Sequence, residues 1–152
     1  MQTSQIFFVV LAFSVLGIIY IFYPRKSINI RSVDINGKKV GVEVVTTPTS
    51  MAKGLMFRKH LAENSGMLFI FGNSAKHSFW MANTLIPLDI IWIGNDKKIV
   101  DIKENAPPCT ASVIRSFCTS YIPQEKANYV LEVNGSWCAK NGVKVGDFVS
   151  FD

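Results

Sequence analysis

The chain has 152 residues, 49% of them hydrophobic, with 16 Lys and Arg against 11 Asp and Glu for a formal net charge of +5. With a membrane-length apolar segment set aside at the front, that length leaves one soluble domain with a core of its own. The basic residues (among them Arg25, Lys26, Lys38, Lys39, Lys97, Lys98 and Lys103) are spread along the chain without the clustering and interleaved aromatics of a nucleic-acid surface, so nucleic acid is excluded as a partner.

Residues 6–23 carry no charged side chain and are almost wholly apolar. At about 1.5 Å per helical residue this run nearly matches a hydrocarbon core of roughly 30 Å. A cleavable signal peptide needs a basic leader and a small-residue cleavage site. The leader here is MQTSQ, Val15-Leu16-Gly17 is a poor cleavage match, and the exit is Phe22-Tyr23-Pro24-Arg25-Lys26. The expectation is an uncleaved, single-pass anchor in residues 1–26, with a β-rich domain in residues 27–152. Arg25, Lys26 and Arg31 follow the span and favour a cytoplasmic domain. The three cysteines favour the outside, and the extracytoplasmic side of the cytoplasmic membrane is the placement expected.

Residues 29–45 read as a hairpin about Asn36-Gly37, because both central residues of a type I′ turn need positive φ. That turn sets Val33 opposite Val40, Asp34 opposite Lys39 and Ile35 opposite Lys38. Thr47-Pro48 is an N-cap followed by proline at the first helical position, and predicts a short helix over residues 48–57. Residues 67–71 form a short apolar strand, and residues 76–81 another. Asn83-Thr84 and Pro87 interrupt the ladder before a strand over residues 88–93. The turn at residues 94–98 returns a strand over residues 99–104. Counting symmetrically, it pairs Trp92 with Val100, Ile90 with Ile102 and Asp89 with Lys103. Residues 105–124 read as a long loop, a length that is usually functional or disordered. A strand over residues 129–133, a short helix over residues 136–140 and a last strand over residues 143–151 complete the chain. The pattern predicts a mostly β, α+β domain of short antiparallel strands, an open barrel or sandwich with two short helices.

The assembled motifs resemble one known family, the domain of unknown function 192 (DUF192). The matching residues are Gly54-Leu55-Met56 with Arg58, Gly66-Met67-Leu68-Phe69 with Phe71, and Phe79-Trp80-Met81 with Asn83-Thr84. Ile86-Pro87-Leu88-Asp89, residues 104–109, Tyr129-Val130-Leu131-Glu132 and Gly146-Asp147 complete the likeness. The resemblance implies a compact β-rich domain, usually exported, with no established activity. Ala82 stands where a basic residue is common, Cys118 lies farther from Cys109 than usual, and Cys138 is additional.

Two tryptophans, an Asn-Thr pair and an acid lie within residues 77–93, so that run is either core or the wall of a pocket. Trp80, Asn83, Thr84, Asp89, Glu104 and His77 are the candidate ligand-binding residues, an aromatic wall with a few polar groups. The competing reading makes Phe79, Trp80 and Met81 packing and Asn83-Thr84 a tight turn. The ligand is an unknown small molecule or protein. A hydrolase or transferase using Asp89 with His77 or Glu104 is one alternative, although no nucleophile motif is present. A purely structural component of a membrane assembly is another. Cys109 and Cys118 are the disulfide candidate, with free thiols equally open. No cofactor is expected, and no zinc, because no C-x-x-C pair exists and only His60 and His77 accompany the cysteines.

Overall fold

The computed structural model describes residues 29–110 and 118–152. The anchor expected at residues 6–23 lies outside them, and among the described residues no helix is long and apolar enough to cross a membrane. The strands are β1 (Ser32–Ile35), β2 (Lys38–Val45), β3 (Ser65–Ala75), β4 (Phe79–Trp80), β5 (Leu88–Ile93), β6 (Ile99–Ala106), β7 (Ser120–Tyr121), β8 (Ala127–Asn134) and β9 (Val149–Phe151). The helices are α1 (Pro48–Lys53) and α2 (Trp137–Asn141).

Seven strands form one sheet in the order β6-β5-β8-β3-β2-β1-β9, while β4 and β7 pair separately. The sheet curls towards a half-barrel. The segment before β9 returns to the start of β6, where Ile99 N donates to Asp147 O at 2.9 Å and Gly146 N donates to Ile99 O at 2.8 Å. A single curled sheet replaces the sandwich alternative, and it is not wholly antiparallel. β2 runs parallel to β3, with Gly41 opposite Ser65 and Val45 opposite Phe69. A parallel pair needs a long crossover, which residues 46–64 supply with α1 inside it.

The first hairpin has the register its turn demands, Val33 with Val40 and Asp34 with Lys39, around Asn36 at φ 53° and Gly37 at φ 78°. α1 begins at a capping box, Ser50 N donating to Thr47 Oγ1 and Thr47 N to Ser50 Oγ, each at 3.2 Å. It stops at Lys53, short of the expected residue 57, because Gly54 turns away at φ 47°, ψ −133°.

The β5–β6 register differs from the symmetric count by one residue. Trp92 faces Asp101, Ile91 faces Ile102 and Ile90 faces Lys103, with an irregularity between Trp92 and Ile93. A one-residue slip reverses the faces. Asp101 and Lys103 therefore share the side of Ile90 and Trp92, and the expected Asp89–Lys103 pairing does not form.

Both faces of the sheet are packed. One cluster gathers Val33, Leu68, Ile91, Ile93, Leu131 and Val133 with Trp137 and Cys138 of α2. The other gathers Phe69, Leu88, Ile90, Trp92 and Val130 with Leu55, Phe79 and Met81 from the crossover and the β4 region. Each fully buried large side chain removes enough apolar area to contribute roughly 1.5–3 kcal/mol. Trp92 sits in the second cluster 1% exposed, its indole N–H donating to the His77 carbonyl at 2.8 Å.

Candidate functional site

Strand β8 alternates Val130 and Glu132 towards the second cluster with Leu131 and Val133 towards the first. Glu132 is thus an acid on an apolar face. It is 4% exposed, and its Oε2 has no hydrogen-bond partner. Burial alone lifts its pKa from 4.5 to about 8, leaving the carboxyl mostly neutral at pH 7.

Above this carboxyl lies a cavity of about 30 Å³ bounded by Glu132, Phe69, Phe79, Trp80, Thr84 and the segment 51–56. Gly54 is what keeps it open. A Cβ there would stand 3.4 Å from Phe69 Cζ and 3.8 Å from Glu132 Oε2, on a backbone at φ 47° that side chains rarely adopt. Trp80 forms the rim, 39% exposed, where a core tryptophan would be covered. Exposed Phe57 and Leu85 follow the lining residues Met56 and Thr84, and Phe57 N donates to Asn83 O at 2.8 Å. Lys53 also lines the cavity.

The candidates from residues 77–93 divide between the two faces of the sheet. Trp80 and Thr84 meet at the cavity. Asn83, at φ 57°, turns the backbone behind it and points its amide at Met56 Sδ, 4.0 Å away. Asp89 is elsewhere: Leu88 and Ile90 face the second cluster, so Asp89 faces the first with Ile91. It is fully buried, and its carboxylate is occupied, Oδ1 accepting from Asn105 N at 2.7 Å and Ser136 N at 2.9 Å, Oδ2 from Cys138 N at 2.8 Å. Ser136 caps α2 without a side-chain bond, so Asp89 serves as its cap from a distant strand. Burial, and then the Asp89 charge, push the Cys138 thiol well above its ordinary range.

His77 stacks on Phe71 at 3.6 Å between centroids and bonds through Nε2 to Asn73 O at 3.2 Å, on the Trp92 side of the sheet. Glu104 is exposed on β6. The structure does not bring Asp89 to His77 or to Trp80, so neither an Asp89–His77 pair nor a cleft extending from Trp80 to Asp89 is assembled, whereas Glu104 lies on the Asp89 side, where both charges act on the Cys138 thiol. Cys109 and Cys118 are joined by a disulfide. Glu132 is the functional candidate that the sequence reading missed. Its signal was present, because a carboxylate in register with Val130 on an otherwise apolar strand has to be buried.

A larger concavity of about 800 Å³ lies at the other end of the fold, lined by Lys38, Lys39, Lys140, Glu63, Asn134 and Trp137 among others. Its amides serve the backbone, Asn134 Nδ2 donating to Leu61 O and Ala62 O at 3.1 and 3.0 Å, and Asn141 Nδ2 to Trp137 O at 2.8 Å. Among the described residues no group of three or more His, Cys, Asp or Glu is arranged to hold a metal ion.

The segments around Gly54, Phe69, Trp80, Thr84 and Glu132, far apart in sequence, all converge on the small cavity. They are also segments through which the chain matches a family of uncharacterised proteins, described as Uncharacterized ACR, over residues 31–151. The chain belongs to the DUF192 family. Two crystal structures share its fold. One, from Sinorhizobium meliloti 1021 and proposed to be a transcription regulator, is 32% identical with a TM-score of 0.70, over 79% of this chain and 90% of that one. The other, a protein of unknown function from Novosphingobium aromaticivorans DSM 12444, is 35% identical with a TM-score of 0.72, over 84% of this chain and 89% of that one. No curated protein matches.

Proposed function

We propose that this chain is a binding module, held at the outer face of the cytoplasmic membrane by residues 6–23, that seats a small ligand or a partner's side chain on Trp80 over the Glu132 cavity. The observation that carries this reading is the pairing of a partly exposed indole with a buried carboxyl whose Oε2 has no hydrogen-bond partner among the described residues, at one opening. Proteins rarely leave a buried acid without a partner unless something else supplies one, and a perturbed acid in a cleft marks a functional site more often than chance. The uncharged run of residues 6–23 supports the tether, and the Cys109–Cys118 disulfide supports an oxidising compartment.

A nucleic-acid role finds little support in the charge pattern. The basic groups nearest one another, Lys38, Lys39 and Lys140, share their concavity with Glu63, and Lys39 is paired to Asp152 at 3.1 Å. Among the described residues, an acid–base enzyme has no second proton carrier at the cavity besides Lys53.

Replacement of the rim tests the reading. Trp80→Ala is expected to leave circular dichroism and the melting transition nearly unchanged, while recovery of a ligand or partner in pulldowns from the native cell envelope is lost. Unfolding of the variant, or undiminished recovery, contradicts a binding role for Trp80.

A further inference from the structure

We propose that the cavity receives one hydroxyl group of an uncharged saccharide, whose ring lies on the Trp80 indole while the hydroxyl hydrogen-bonds the buried Glu132 carboxyl. This rests on the binding-module reading above and names the ligand class for it.

Size sets the first limit. A volume of about 30 Å³ admits one group the size of a water molecule, so a ring must remain outside, at the Trp80 rim. Polarity sets the second. Thr84, Trp80 and Lys53 bring polar groups to the lining, while the Met51, Leu55, Phe69 and Phe79 side chains offer the entering group no hydrogen bonds, and Glu132 Oε2 lacks a partner among the described residues. The group must therefore satisfy the carboxyl by itself. Charge sets the third. An anion would meet a carboxyl held neutral only by burial, and a cation would enter beside Lys53, the other titratable residue lining the cavity among the described residues.

A hydroxyl is small and neutral, and both donates and accepts, as does a protonated carboxyl. The CH-rich face of a sugar ring suits an indole exposed at the mouth of a cavity lined by Met51, Leu55, Phe69 and Phe79. Ionising Glu132 removes its only donor and places a charge against an uncharged ligand. Binding is thus expected to weaken as pH rises through about 8.

The test uses the full chain in a sugar-free zwitterionic detergent, titrated with the methyl glycosides of glucose, galactose and N-acetylglucosamine and, separately, with n-butylammonium. Saturation-transfer NMR is the readout, for wild type, Trp80→Ala and Glu132→Gln. The expected result is that at least one glycoside binds wild type near pH 6.5, and binds roughly tenfold or more weakly near pH 9.5. Trp80→Ala should lose that binding. Glu132→Gln keeps a donor and an acceptor at every pH, and should show no such fall. Glycoside binding through Trp80 that ignores both pH and Glu132→Gln overturns the role of the carboxyl and leaves the module reading standing. Binding of n-butylammonium that strengthens with pH while no glycoside binds overturns the saccharide proposal, because the carboxyl then serves a cation, and it too leaves the module reading standing. Absence of binding by every probe overturns the saccharide proposal, and the envelope pulldown with Trp80→Ala then decides whether the binding module falls with it.

Discussion

Glu132 couples this fold to proton activity. Its carboxyl titrates near 4.5 in the unfolded chain and near 8 when folded, because burial penalises the charged form. Between those values the folded state holds a proton that the unfolded state has released, so stability falls as pH rises. One group of this kind removes about 1.4 kcal/mol for each pH unit crossed. The contribution is whole below pH 4.5 and gone above pH 8, where both states are ionised. Glu132→Gln is expected to abolish that slope and to be more stable than wild type near pH 8, measured by urea unfolding across the window. A slope unchanged in the variant would mean that another group carries it. The residue was legible in principle, because period-two alternation puts Glu132 on the side of Val130. The sequence shows a strand with one acid in it, but not whether a partner waits across the sheet, and here Oε2 has none among the described residues.

At the scale of elements, Asp89 joins β5 to α2 and to the end of β6 through three backbone N–H groups. α2 is five residues long, too short to hold together unaided, and its N-terminus depends on this distant cap. Asp89→Ala would leave three N–H groups without an acceptor, at a cost of roughly 3 kcal/mol or more. Urea unfolding should show that loss, with glycoside or partner binding retained in the folded fraction. A variant of wild-type stability that fails to bind would restore Asp89 to the site. The sequence marked Asp89 as notable without showing its job, because the donors lie 16, 47 and 49 residues away. The first hairpin was readable to the residue, since Asn36-Gly37 fixes the turn and the turn fixes the register. The second was not. Lys97 takes a positive φ and Gly94 N bonds to Lys98 O, so the loop closes asymmetrically and the pairing slips by one. The parallel β2–β3 pair was hidden for a different reason, since nothing local in either strand encodes a partner reached across residues 46–64.

For the whole molecule, a mostly β single domain with two short helices was legible from alternation and turns, while the curl that closes it depends on the long-range hydrogen bonds between residues 97–99 and 146–149. Its placement in the cell is a separate matter. An outer position is expected to keep the Cys109–Cys118 bond formed, with the Cys138 thiol buried and unreactive. An impermeant maleimide on intact cells should then label the chain only after an impermeant reductant has opened the disulfide. Labelling confined to permeabilised cells, without reduction, would put the domain in the cytoplasm.

A neutral carboxyl at the floor of the Trp80 cavity is the feature on which everything proposed for this site depends. It is tested most directly by following the Glu132 side-chain carboxyl by ¹³C NMR in the intact chain as pH is raised. A midpoint near 8 is expected, moving upward when a bound glycoside stabilises the protonated form. A midpoint near the ordinary 4.5 would mean a solvated or partnered acid, and would contradict the account.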